Sequence, residues 1–165
     1  MSPSAEGAIF LPYLSGERTP HLDPDIRGAW VGLGLVHGRA HLLHAAFEGV
    51  AFALREGLEA LEDAGISVPE LRLAGGGALG DPLAAKLLAD VLGRPLRLLP
   101  PSVASTASAR GAALLAGIAC DAYASVEEIL LLAPETRETV LPQEAASYEA
   151  AYARYKELYP RLRGW

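Results

Sequence analysis

The 165-residue sequence contains one cysteine, one methionine and two tryptophans, and it has no long run of like charge. A single thiol, Cys120, cannot close an internal disulfide, so a disulfide-stapled fold is excluded. No apolar run approaches the roughly 20 residues needed to cross a bilayer. No basic start followed by an apolar block opens the chain, and a cytoplasmic protein without a membrane segment is the expectation. Fourteen Lys and Arg against 20 Asp and Glu give a net charge of −6, without the basic patch of a nucleic-acid-binding domain. The four histidines lack metal-ligand spacing. His37, His41 and His44 come nearest, but no Cys or carboxylate completes a set, and they read as surface or helix-capping residues. No Ser, His and Asp stand in triad order around elbow glycines. Neither a catalytic residue nor a metal ligand is therefore assigned. What remains is 51% hydrophobic and 21% charged, the composition of one globular domain with a real core.

Residues 9–14 (IFLPYL) predict a strand with Pro12 at an edge or bend, and 29–35 (AWVGLGL) predict a second. A helical period then runs over 39–64. Leu43, Phe47, Val50, Leu54, Leu58 and Leu61 recur at steps of three and four, which predicts one buried stripe. His44, Glu48, Arg55 and Glu59 form a polar row on another side, and Gly65 ends the helix as a C-cap. Residues 71–74 predict a strand. Three glycines follow, and Asp81 with Pro82 opens a helix to residue 92 whose buried row is Leu83, Leu87 and Val91. A strand at 96–99 stops at Pro100-Pro101, and 107–119 form a helix rich in small residues. Ser125 to Glu128 has capping-box spacing. The last helix, 143–162, carries Tyr148, Tyr152, Tyr155 and Tyr159 as a packing face. Helices alternating with short strands predict α/β layering with at least partly parallel pairing.

The glycine triplet Gly75-Gly76-Gly77 between strand and helix fits two uses. It can present backbone N–H groups to a nucleotide, or it can be a tight turn. It lacks the Lys-Ser/Thr of a P-loop and the spacing of a dinucleotide fingerprint. Glu17, Asp23 and Asp25 in loop 15–27 are either acid–base or metal groups, or turn formers. Ser102, Ser105, Thr106 and Ser108 either offer hydroxyls to a ligand or serve as loop and N-cap residues.

Four segments in order resemble the carboxy-terminal domain of the FGGY carbohydrate kinases. LPYLSGERTPHLDPDIRG (11–28) is similar to the family's PYLxGERTPxxxPxxRG, and GAWVGLGLVHGRAHLLHAAFEGVAFALREGLEAL (28–61) to its second signature. LAGGGALGDPLAAKLLADVLGRPL (73–96) is similar to the GGG…ADxxGxPV block, and ARGAALLAG (109–117) to the GAAxxA helix.

The resemblance implies an actin/hexokinase/Hsp70-like ATPase lobe, ribonuclease H-like and α/β, incomplete at its amino-terminal strands and ending in a helix. Residues 1–120 would be the nucleotide-side lobe and 121–165 a helical tail packed on it. The implied cofactors are ATP and Mg²⁺. The implied partner is the amino-terminal kinase lobe, which carries the sugar site, the DxGT phosphate loop and the catalytic base; none of these is in the sequence. The intact enzyme would phosphorylate a ketose such as D-xylulose. Glycerol, ribulose and gluconate, and a non-catalytic nucleotide or interaction module, stay open as alternatives. The chain alone is expected to be inactive, and an uncovered sheet edge or apolar face favours self-association into a homodimer. By the same resemblance Gly75, Gly76, Gly77 and Ala78 line the adenosine and its nearest phosphate. Asp81 stands where the glycerol kinase branch has an asparagine that can touch adenine, and a carboxylate accepts from the adenine amino group but does not donate. Glu17, Arg18 and Thr19 would shape the cleft rim, or else form a buried structural loop with Arg18 paired to a carboxylate.

Overall fold

A computed structural model describes residues 5–74 and 82–165. The elements are β1 (Ile9–Leu11), β2 (Ala29–Val31), α1 (Arg39–Asp63), β3 (Leu71–Leu73), α2 (Pro82–Leu92) and β4 (Leu96–Leu98). They continue as α3 (Pro101–Ala104), α4 (Ala107–Ala119), α5 (Val126–Leu130) and β5 (Glu138–Val140), then a 3-10 turn at Ala145–Tyr148, α6 (Glu149–Lys156) and α7 (Leu158–Leu162). β1 and β2 form an antiparallel ribbon, and β3, β4 and β5 form a second sheet in that order. β3 and β4 pair in parallel with Leu71 opposite Leu96 and Leu73 opposite Leu98; β5 adds antiparallel to β4. A parallel pair needs a crossover, and α2 supplies it.

The expected α/β layering is present, with two local departures. β5 is a three-residue edge strand, too short for its alternation to register in the sequence. The helix expected over 143–162 is divided at Glu157, because the ring of Pro160 would clash with the carbonyl four residues back, at Lys156. The tyrosine stripe packs as expected. Tyr148, Tyr152 and Tyr155 are buried, and Phe52 lies 5.6 and 5.3 Å from the Tyr152 and Tyr155 rings.

α1 has the expected length but presents the opposite face. Of the predicted stripe only Leu58 is buried; Leu43, Phe47, Val50, Leu54 and Leu61 are 46–52% exposed. The inward face is Ala45, Glu48, Gly49, Ala51, Phe52 and Glu56. The cause is close approach to β1: a Cβ at Gly49 would overlap the Phe10 carbonyl oxygen. On α2, Ala84, Ala85, Leu87, Leu88 and Val91 are buried, whereas Leu83 points outward at 75% exposure.

Asp90 ties the C-terminal segment to this layer. Its carboxylate accepts from the N–H groups of Gln143 (2.5 Å) and Glu144 (2.9 Å) and from Lys86 Nζ (2.8 Å). Burial opposes ionisation of Asp90, but the Glu144 N–H, the Lys86 ammonium and the Gln143 N–H outweigh it and hold the carboxyl below its ordinary value. A depressed carboxyl stabilises the fold above its unfolded pKa, and that contribution is lost as pH falls through the folded one. Asp90→Asn is therefore expected to cost about 1.5–3 kcal/mol at neutral pH. In urea unfolding the gap to the parent should close below the ordinary aspartate value of 3.8; a gap independent of pH would contradict the role. On α1, Gly49→Ala is expected to destabilise by about 1–3 kcal/mol through overpacking. Gly57→Ala has open space around its new methyl and is expected to stabilise by up to about 1 kcal/mol. Thermal melts of the two variants should shift in opposite directions.

Candidate functional site

Parallel pairing brings the carboxyl ends of β3 and β4, at Leu73 and Leu98, to one edge of the sheet. The segment that follows β4, 99–106, leaves from that edge. In open α/β sheets this is where ligands bind, because the loops and helix N-termini converge there. α2 begins at this edge with Pro82 in its first turn, and its N-terminal dipole end favours an anion. Gly75, Gly76, Gly77, Ala78 and Asp81 lie outside the described residues. On the neighbouring segment the hydroxyls serve the local turn. Ser105 Oγ donates to the Ser102 carbonyl at 3.4 Å, and Thr106 Oγ1 donates to the Ser102 and Val103 carbonyls at 3.3 and 3.2 Å.

The GERTP loop is organised by its own acids. The Glu17 carboxylate accepts from the N–H groups of Thr19 (2.5 Å) and His21 (2.7 Å), and the Glu17 and Asp23 backbones bond reciprocally. Asp23 Oδ1 accepts from the Asp25 and Ile26 N–H groups, while Oδ2 accepts from Tyr159 Oη at 3.1 Å. The Asp25 N–H foremost holds the Asp23 carboxyl below its ordinary value. These bonds are those of turn formers. Arg18 is exposed, not buried against a carboxylate.

Beneath the loop lies a buried network that the sequence did not announce. Tyr13 Oη donates to Glu56 Oε2 at 2.8 Å, Tyr155 Oη donates to Tyr13 Oη at 3.1 Å, and His21 Nε2 lies 3.6 Å from Glu56 Oε1. The His21 ring stacks on Tyr159 with centroids 3.7 Å apart. Burial pushes the Glu56 carboxyl up, against the Tyr13 hydroxyl and the nearby His21, and it pushes the Tyr13 and Tyr155 phenols up as well. The network fastens the loop to α1 and α6. Its one sequence signal is that Glu56 falls on the same helix face as Ala45, Gly49 and Phe52. Glu48, expected on the polar row of α1, is buried 3.1 Å from His44 one turn back. His41 caps α1 as expected, its Nδ1 accepting from the Gly38 N–H at 2.9 Å.

Among the described residues two cavities have arginines in their walls. One of about 150 Å³ between α1, α2 and α6 contains Arg55 and Arg94, but Arg55 forms a fork with Glu149 at 2.8 and 3.0 Å and Arg94 meets Glu62 at 2.7 Å. The other, about 420 Å³ and open, lies beside Arg72 and Arg97, and Arg97 pairs with Glu70 at 2.6 Å. Among the described residues no three His, Cys, Asp or Glu side chains are grouped to hold a metal ion.

Residues 1–120 match the family model described as the C-terminal domain of the FGGY family of carbohydrate kinases. The chain belongs to the FGGY family of carbohydrate kinases. This FGGY chain is 38% identical over 161 residues to the xylulose kinase of Escherichia coli, covering 96% of itself and 32% of that protein. It is also 38% identical over 156 residues to a glycerol kinase of Stenotrophomonas maltophilia, covering 94% of itself and 30% of the relative. It superposes on the crystal structure of a xyloylose kinase from Brucella ovis with a TM-score of 0.80 and 38% identity, over 98% of this chain and 32% of that one. The fold is thus that of an actin/hexokinase-like ATPase lobe. The FGGY chain spans about a third of the length of the curated relatives it matches. Among the described residues no helix is long and apolar enough to cross a membrane.

The Glu56 network makes a pH-dependent prediction. A carboxyl whose pKa is raised by folding favours the folded chain below its ordinary value of 4.5, and that contribution is lost as pH rises through the folded value. In urea unfolding, the stability of the parent relative to Glu56→Gln is expected to fall from pH 4 to pH 7. A difference that stays constant or grows over that range would contradict the raised carboxyl.

Proposed function

We propose that this chain is the nucleotide side of an ATP-dependent carbohydrate kinase that phosphorylates a hydroxyl of a ketose such as D-xylulose. The observation that carries the reading is the parallel β3–β4 pair, with a glycine triplet following β3 and the N-terminus of α2 beyond it, in a chain of the FGGY family. ATP would supply the transferred phosphoryl group and Mg²⁺ would neutralise its charge, and no described residue of this chain is assigned to hold the ion. Gly75, Gly76 and Gly77, having no Cβ, would let a flat adenosine lie on the backbone, with Ala78 next to it. The α2 N-terminus favours the nearest phosphate, and Asp81 would accept from the adenine amino group.

No proton transfer is assigned to this chain. The base, the sugar site and the remaining phosphate clamps would belong to an amino-terminal lobe, the partner in the intact enzyme. Residues 1–120 would form the lobe and 121–165 its tail, which supplies β5 and the core tyrosines. Relatives named as xylulose kinases support a ketose. The glycerol kinase at equal identity keeps a polyol as the second reading.

The test supplies the amino-terminal two thirds of the E. coli xylulose kinase in trans and measures sugar-dependent ADP release. Activity with D-xylulose is expected from the pair and not from the chain alone. Gly76→Val is expected to raise KM for ATP about tenfold, equivalent to about 1.4 kcal/mol of lost binding. A folded pair that is inactive with every ketose and polyol, or a Gly76→Val pair with unchanged KM, would count against the proposal. Calorimetry of the isolated chain with ATP and Mg²⁺ separates out a stand-alone nucleotide module, which would bind without the other lobe.

A further inference from the structure

The inward face of α1 carries two carboxylates, Glu48 and Glu56, among Ala45, Gly49, Ala51 and Phe52. A buried carboxylate costs free energy that an apolar side chain in its place would not. The partners of Glu56 fasten the GERTP loop, which gives that acid a use. Glu48 lies about two turns nearer the start of the helix, buried, with its Oε1 3.1 Å from Nε2 of the half-exposed His44.

The neighbouring helix shows where this second pair stands. α1 leads into β3 and α2 into β4, and because those strands are parallel the two packed helices run in the same direction. Leu58 and Glu62 share a cavity with Val91 and Leu92, and Glu62 meets Arg94, just past the end of α2, at 2.7 Å. Both helices rise equally per residue, so equal walks back from Leu58 and Val91 reach Gly49 and Pro82 together. Tyr148 agrees with this register. Its turn packs on α2, and burial, followed by the Glu48 carboxylate, pushes its phenol up to about 12. Glu48 therefore stands alongside the first half of α2, and His44, one turn earlier, stands at its start. That start lies at the carboxyl edge of β3 and β4, where the helix has to keep its orientation for its N–H groups to meet a phosphate.

We infer that His44 and Glu48 are positioning residues of the nucleotide end: Glu48, anchored inside α1, orients His44, and the pair braces the first turn of α2 at the carboxyl edge of the sheet. The consequence for ATP rests on the carbohydrate-kinase reading; the brace does not. Neither residue is given a proton transfer or a contact with the ligand.

The test compares the parent with His44→Ala, His44→Arg and Glu48→Gln. His44→Ala, at a half-exposed position, is expected to keep the circular dichroism of the parent. The amides of Lys86 and Leu87, which close the first turn of α2, are expected to exchange faster in this variant, while those of β1 and of the second half of α1 exchange as in the parent. In the pair assembled with the amino-terminal two thirds of the E. coli xylulose kinase, KM for ATP is expected to rise about fivefold, as for the loss of one net hydrogen bond, with kcat and KM for the sugar unchanged. His44→Arg, a longer cation that still reaches a carboxylate one turn on, is expected to restore both readouts. Glu48→Gln, which removes the charge and keeps the shape, is expected to act in the direction of His44→Ala. The inference is overturned if exchange at Lys86 and Leu87 is unchanged in His44→Ala, or if it rises equally through the whole domain. It is equally overturned if KM for ATP stays parental in an active pair, or if His44→Arg behaves as His44→Ala. The two readings fail separately. An inactive parent pair with faster local exchange in the variant would sink the kinase and leave the brace, whereas an active pair with unaltered exchange in α2 would sink the brace and leave the kinase.

Discussion

The approach of α1 to β1 at Gly49 decides how the rest of the molecule is arranged. The helix backbone lies so close to the Phe10 carbonyl that no Cβ fits between them, so the small face Ala45, Gly49 turns inward whatever lies opposite. Glu48 and Glu56 share that face and are carried into the interior. Burying an unpaired carboxylate would cost several kcal/mol, and each has a partner in place: His44 for Glu48, Tyr13 and His21 for Glu56. The same rotation sends five large apolar side chains outward. Full burial of such a side chain contributes about 1.5–3 kcal/mol, so leaving five of them half exposed forgoes about 4–8 kcal/mol. That is comparable with the whole stability of a typical domain, about 5–15 kcal/mol.

A second tie sets the strand edge where the nucleotide would lie. Asp90 fixes residues 143 and 144 to the back of α2, and the buried tyrosines beyond them pack on α1 through Phe52. α2 is thereby held between α1, the sheet and the C-terminal helices. The position of the carboxyl ends of β3 and β4 thus follows from core packing and the Asp90 hydrogen bonds. The GERTP loop is held in a similar way from below, by Tyr13, Glu56, His21 and Tyr159, which gives its carboxylates structural work and leaves Arg18 facing solvent.

Features set by local chemistry were legible in the sequence. The helix over residues 107–119, the strand–glycine–helix order around residue 75 and the packing role of the tyrosines follow from capping, period and composition. Features set by distant contacts were not. Tyr13 and Glu56 are 43 residues apart, and nothing in either neighbourhood signals the other. The period of α1 predicted a buried stripe, and five of its six residues are exposed. The structure places a different face inward because small residues at 45 and 49 win the contact with β1. The glycine triplet was legible as a motif, and the family match adds a carbohydrate kinase family as its context.

The central claim, that the nucleotide is seated at the carboxyl ends of β3 and β4, is most directly tested by photolabelling the assembled pair with 8-azido-ATP and mapping the modified peptides by mass spectrometry. The account predicts label within residues 74–84 or 99–106 of this chain, suppressed by excess ATP. Suppressible label confined to α1, to the outer face beside Arg72 and Arg97, or to the amino-terminal lobe would contradict it.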